Sequence, residues 1–193
     1  KGSFLFNFFI FICFLITSYE WHMMTKKKKY NILGFIFLII SFYFTYKLRN
    51  DLTGNYDLLL AATIICVATD CGGYIFGKLF KGPKLTKLSP NKTYSGMLGG
   101  YFLSIISIDF CLQNSFILNG SEISWQIFVF VLIVSSISQL GDIVISYFKR
   151  LSNIKDTGKI IPGHGGLLDR IDGMIFAFPF SYLVLSFNIL QIY

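Results

Sequence analysis

Charged side chains are scarce. They make up 14% of the 193 residues, against roughly 25% in an ordinary soluble domain. With 54% hydrophobic residues, 22 Phe and a mean hydropathy of +0.62, that shortage excludes a soluble globular domain and points to an integral membrane protein. No CxxC pair occurs among Cys13, Cys66, Cys71 and Cys111, and all four fall in or beside apolar segments. They read as small buried hydrophobes, not as a disulfide framework or a zinc site. The Walker A pattern GxxxxGK(S/T) is missing. So is a small-x-small cleavage site after the first apolar run, which is followed instead by a lysine cluster and reads as a membrane span rather than a signal peptide. The chain opens on Lys1 rather than Met, and further residues are expected before it. There is no convincing internal repeat, and no soluble domain is left over. The net charge of +7 does not signal nucleic acid, because the basic residues sit in short gaps between apolar runs.

Six apolar runs are present: residues 4–17 (extending to 21), 32–46, 58–77, 95–113, 125–148 and 174–193. A helical span needs about 20 residues. The expected fold is therefore all-α, a polytopic membrane protein of about six transmembrane helices. Alternation sorts the connectors into two sets. One set, residues 19–31, 78–93 and 149–170, holds Lys26 to Lys29, Lys78, Lys81, Lys84, Lys87, Lys92, Lys149, Arg150, Lys155, Lys159 and Arg170. The other holds only Lys47 and Arg49, with Lys1 at the terminus. The positive-inside rule puts the first set in the cytosol.

Against this apolar background, residues 146–172 stand out: SYFKRLSNIKDTGKIIPGHGGLLDRID. Asp169 and Asp172 are three apart, so in a helix they share one face. Two carboxylates that close repel unless a cation lies between them, and hard oxygen ligands beside phosphates favour Mg²⁺. The plain alternative is a helix start with favourable acids, Asp169 pairing with Arg170 or Lys159. Asp142 lies near the cytosolic end of the fifth span, and an ionisable residue in a span is usually functional. The turn Pro162-Gly163-His164-Gly165-Gly166 could converge backbone N–H groups on an anion. His164 there could donate to a phosphate oxygen or hold a carboxylate, or it could be a turn residue without a task.

Two further clusters lie on the same face. Ser89-Pro90-Asn91-Lys92-Thr93 with Ser95-Gly96 offers a lysine and hydroxyls before a helix. It suits triphosphate, or else anionic lipid. Asp70, followed by Gly72-Gly73 and Gly77-Lys78, is either a polar contact in the site or a partner for a buried lysine; the glycines permit close helix approach. Asp109 falls in the outer half of the fourth span and reads as structural. Glu20-Trp21 falls at the cytosolic interface, with Trp21 as a membrane-belt anchor.

Ser146-x-x-Lys149-Arg150-x4-Lys155-Asp156-x-Gly158-x3-Pro162-Gly163-His164-Gly165-Gly166-x-x-Asp169-Arg170-x-Asp172 resembles, position by position, the motif of the phosphatidate cytidylyltransferases, or CDP-diacylglycerol synthases. Ser89-Pro90-x-Lys92-Thr93-x-x-Gly96, Asp70 with its glycines, and Glu20-Trp21 resemble the family in the same order. The resemblance covers roughly residue 19 to the C-terminus. It departs at Ser95, where an acidic residue is common, and in length, since family members usually carry more N-terminal spans. It therefore implies a single membrane-embedded domain over 1–193 that lacks N-terminal spans.

The family implies the transfer of CMP from CTP to phosphatidate, giving CDP-diacylglycerol and pyrophosphate; the lysine-rich connectors put the site on the cytoplasmic face, and the Phe- and Lys-rich composition reads as that of a bacterial inner-membrane protein. By the same resemblance Asp142, Asp169 and Asp172 hold Mg²⁺, with a second, monovalent cation left open. Lys149, Arg150 and His164 join them in catalysis. Ser89, Lys92, Thr93, Lys155, Asp156, Gly165, Gly166, Arg170 and Asp70 contact substrate. A homodimer fits both the family and the glycine-rich spans. Competing readings are a CTP-dependent lipid kinase, a cytidylyltransferase of another lipid phosphate, and a small anion transporter. A CDP-alcohol phosphotransferase is disfavoured, because Asp172-Gly173 is followed by Met174-Ile175 instead of a DGxxAR pattern.

Overall fold

The computed structural model describes residues 2–26, 28–50, 56–86, 89, 92–114, 117, 123–160, 165–187 and 189. Among these residues seven helices follow in order: α1 (Gly2–Thr25), α2 (Asn31–Asn50), α3 (Asp57–Phe80), α4 (Tyr94–Gln113), α5 (Trp125–Leu151), the single turn α6 (Leu168–Ile171) and α7 (Met174–Ser186). No strand occurs among the described residues. The first five helices are long and apolar enough to cross a bilayer. Among the described residues of the sixth apolar run, 13 are helical, Met174–Ser186, with Pro179 inside. The protein is an all-α integral membrane protein.

Many large side chains remain outside the core. Phe4, Leu5, Phe8, Phe9 and Phe11 of α1 are all exposed. In water that would be untenable, but hydrocarbon is the expected solvent for such a surface. Since lipid removes most of the hydrophobic drive between helices, close backbone packing must hold them together. The α3–α4 pair shows how. A Cβ on Gly72 would lie 2.3 Å from the carbonyl oxygen of Gly99, and one on Gly100 would lie 3.0 Å from that of Thr69. The glycines that suggested self-association face one another inside a single chain.

The first connector is shorter than the sequence suggests, because α1 runs on to Thr25 and carries Glu20 and Trp21 inside the helix. Trp21 is not a membrane-belt anchor. It is 4% exposed, packs edge-on against Phe148 and donates from Nε1 to the Asn31 carbonyl at 3.0 Å. Gly34 makes room for it, since a Cβ there would overlap the indole at 1.9 Å. Side-chain contacts draw the three basic connectors to one end of the bundle. Tyr30 and Ser152 hydroxyls meet at 3.1 Å, and Lys92 reaches α5, donating to the Gln139 carbonyl at 3.3 Å.

The described residues of the 81–93 connector are themselves tied down. Leu85 N–H donates to the Lys92 carbonyl at 2.7 Å and Tyr94 N–H to that of Pro83 at 3.1 Å. The Thr93 hydroxyl caps α4, accepting from Gly96 N–H at 3.1 Å. Ser95, at the position where the family favours an acid, accepts from Gly82 N–H at 3.3 Å.

Candidate active site

At that shared end lies a cavity of about 470 Å³. Its walls come from α3 (Thr69, Asp70, Gly73, Tyr74), the 81–93 connector, α4, α5 (Gln139, Asp142, Lys149) and the segment that follows α5. Ten of the residues assigned from sequence to catalysis, metal or substrate line it: Asp70, Ser89, Lys92, Thr93, Asp142, Lys149, Asp156, Asp169, Arg170 and Asp172. Arg150 and Lys155 are exposed and lie outside the lining. Gly165 and Gly166 stand just behind it. Gly165 has φ +90°, a conformation that L side chains rarely adopt. Gly166 donates its N–H to Asp169 Oδ2 at 3.1 Å. Pro162, Gly163 and His164 lie outside the described residues, as do Pro90 and Asn91.

The two aspartates of the DRxD pair have different surroundings. Asp169, in α6, accepts at Oδ1 from Lys149 Nζ at 2.9 Å. Its Oδ2 accepts from the N–H groups of Thr157 at 2.8 Å and Gly166 at 3.1 Å. Burial alone would raise its pKa. The Lys149 and backbone hydrogen bonds, with the lysine's charge, outweigh that and hold the carboxyl below its ordinary value. The partner anticipated from sequence, Arg170 or Lys159, is replaced by Lys149 from α5.

Asp172 sits in the turn between α6 and α7, where the backbone keeps right-handed helical angles. It is 8% exposed. Burial, the charge of Asp142 and a hydrogen bond with it, and more weakly the charge of Asp70, push its pKa well up; Lys149 opposes them. Asp142 in turn is ion-paired with Lys92. The cavity thus holds three facing carboxylates, Asp70, Asp142 and Asp172, beside two lysines and Arg170. Among the described residues, no three His, Cys, Asp or Glu side chains form a ready-made metal cage.

Asp109, read as structural, accepts from Gln113 Nε2 at 2.8 Å near the far end of α4. The residue that sequence reasoning undervalued is Glu20, which is 1% exposed. Its carboxylate lies beneath the loop that carries Asp169, accepting from Leu168 N–H at 2.7 Å. An acid within the first apolar stretch, six residues before the Lys26–Lys29 cluster, was the available signal.

The model of the cytidylyltransferase family matches residues 3–188. The chain belongs to the cytidylyltransferase family. Members similar to it include a phosphatidate cytidylyltransferase of Staphylococcus aureus (strain COL), 35% identical over 184 residues. That match covers 91% of this chain and 67% of the relative. The phosphatidate cytidylyltransferase of Staphylococcus haemolyticus (strain JCSC1435) is 35% identical over 185 residues with the same coverages. That of Staphylococcus saprophyticus is 34% identical over 184 residues. The chain thus spans about two thirds of the length of these relatives, and the matched region contains every element that lines the cavity.

Proposed function

We propose that the chain transfers CMP from CTP to phosphatidate, producing CDP-diacylglycerol and pyrophosphate. One observation carries this reading: a cavity at the end of an apolar helix bundle gathers Lys92, Lys149 and Arg170 with Asp70, Asp142 and Asp172, in a chain of the cytidylyltransferase family. A phosphate oxygen of phosphatidate attacks the α-phosphorus of CTP, the bond to the β-phosphate oxygen breaks, and pyrophosphate leaves. The attacking group is already ionised near neutral pH, so the demand on the protein is to bring anions together and orient them. Lys92, Lys149 and Arg170 supply positive charge, and the Thr93 and Ser89 region forms the triphosphate side of the cavity.

The donor set fits a hard divalent cation. Asp142, Asp172 and Asp70 are oxygen ligands that repel one another when ionised, and Lys92 offsets only part of that charge. Mg²⁺ bound there would neutralise phosphate charge and stabilise the leaving pyrophosphate. Asp142 and Asp172, with Asp70 beside them, are the residues that would hold it. The three hydrogen bonds already accepted by Asp169 favour a role for that carboxylate in fixing the loop. A second, monovalent cation, a homodimer, and an orientation with the cavity facing the cytoplasm of a bacterial inner membrane belong to the same proposal. The lysine-rich connectors at the cavity end support the orientation.

The test is to supply the purified chain with phosphatidate and CTP labelled at either the α- or the γ-phosphate, with and without Mg²⁺. Metal-dependent lipid labelling from the α-phosphate alone is the expected result. Lipid labelled from the γ-phosphate would mean a kinase and overturn the proposal, as would α-label transfer to another lipid phosphate but not to phosphatidate.

A further inference from the structure

Glu20 is a buried carboxylate on α1, a helix that contributes no residue to the cavity lining. Taking an ionised carboxylate out of water is costly unless hydrogen bonds replace its hydration. Here Oε1 accepts from Leu167 N–H at 3.0 Å, and Oε2 accepts from Leu168 N–H at 2.7 Å and from the Thr157 hydroxyl at 3.4 Å. Among the described residues it has no ion-pair partner. The loop has settled closely on it: a Cβ on Gly158 would come within 2.6 Å of Oε1, and one on Gly166 within 2.8 Å of both oxygens.

Asp169 grips the same segment from the cavity side. Thr157 gives its hydroxyl to Glu20 and its N–H to Asp169, and the successive N–H groups of Gly166, Leu167 and Leu168 go to Asp169, Glu20 and Glu20. Two carboxylates from distant parts of the chain therefore share Thr157 and the backbone of residues 166–168. If the Glu20 side were lost, the N–H groups of Leu167 and Leu168 would have no acceptor, and that of Leu168 is buried. The Asp169–Lys149 pair would then rest on a backbone no longer fixed from below.

We infer that Glu20 is a positioning residue for the reaction proposed above: from α1 it fixes Thr157 and residues 166–168, and through them the orientation of Asp169, Lys149 and the adjoining Asp172. The inference rests on that proposed reaction for its kinetic consequence, but not for the clasp itself.

The experiment compares wild type with Glu20→Gln and Glu20→Asp in detergent, with Asp109→Asn as a remote control. The readouts are thermal midpoint, hydrogen exchange by peptide, and kcat and KM for CTP with phosphatidate. In Glu20→Gln one of the two amides must face an NH₂ group. Exchange over residues 165–173 should rise about tenfold or more while α3 and α4 keep their protection. The value of kcat should fall about 100-fold, because misplacement by an ångström costs that much, and KM for CTP should change less than about threefold. Glu20→Asp keeps the acceptor and should recover part of kcat, and Asp109→Asn should match wild type.

Wild-type kcat in Glu20→Gln would overturn the inference. So would exchange rising equally throughout the bundle, or a change confined to KM. If wild type transfers no CMP, the reaction proposal fails while the exchange measurement still decides the clasp: unchanged protection over 165–173 in Glu20→Gln would sink it, and a local loss would sustain it.

Discussion

The ammonium of Lys149, in the last turn of α5, lies 2.9 Å from Oδ1 of Asp169 in α6, with the two side chains only 13% and 9% exposed. This pair joins the fifth long helix to the loop and turn that close the cavity. Removing one partner of a pair so buried leaves an uncompensated charge or unmet donors, and costs about 3 kcal/mol. Asp169→Asn is therefore expected to abolish turnover and to lower the thermal midpoint by about 6–12 °C, at about 2–4 °C per kcal/mol for a chain of this size. A variant with normal activity would remove Asp169 from the site.

The same residue sets a pH dependence. Its folded-state pKa lies below the ordinary carboxyl value. Its contribution to stability is then complete above the unfolded-state value of about 3.9 and is lost as pH falls through the lower folded value. The stability difference between wild type and Asp169→Asn should stay constant from neutrality to about pH 5 and shrink below about pH 4. Thermal midpoints across that range measure it; a difference that vanished by pH 6 would contradict the sign.

Asp172 has the opposite character. Its pKa is raised by burial and by Asp142, so its ionised form works against the fold above that raised value. Asp172→Asn should lose catalysis yet melt at the same or a higher temperature than wild type, as expected where function keeps an unfavourable charge in place. An active variant, or one that melts several degrees lower, would refute this.

Lys92 bridges the Asp142 carboxylate and the Gln139 carbonyl. A triphosphate entering the cavity would compete for this ammonium. Lys92→Gln should raise the KM for CTP by about 10- to 100-fold, the loss of one charge-assisted hydrogen bond. An unchanged KM would show that the nucleotide lies elsewhere.

The α3–α4 interface gives a paired test with no catalytic component. Gly72→Ala forces a methyl to within 2.3 Å of the Gly99 carbonyl oxygen, whereas Gly73→Ala finds its nearest atom at 3.8 Å. Overpacking against backbone costs about 1–3 kcal/mol. The first variant should melt several degrees below wild type and the second near it; equal midpoints would show that the two helices do not pack this closely.

The helical membrane architecture was legible in the sequence because spans announce themselves by apolar length and by the bias of lysine among connectors, both of which are local properties. The glycine, lysine and aspartate pattern of 146–172 likewise marked the segment that bounds the cavity; Asp142 stood out because charge inside a span is costly without a purpose, Asp70 as an acid beside closely packed glycines, and Lys92 because it sits with hydroxyls before a helix. Partners were another matter. Only the folded chain decided that Asp169 pairs with Lys149 rather than Arg170 or Lys159, that Trp21 fills the space over Gly34 instead of facing lipid headgroups, and that the glycines of α3 and α4 face each other. It also decided that Glu20 lies under Thr157, Leu167 and Leu168. Hydropathy and spacing describe a residue's neighbours along the chain, while hydrogen bonds such as Glu20 to Leu168 join positions 148 residues apart, which only the packing of helices can bring together.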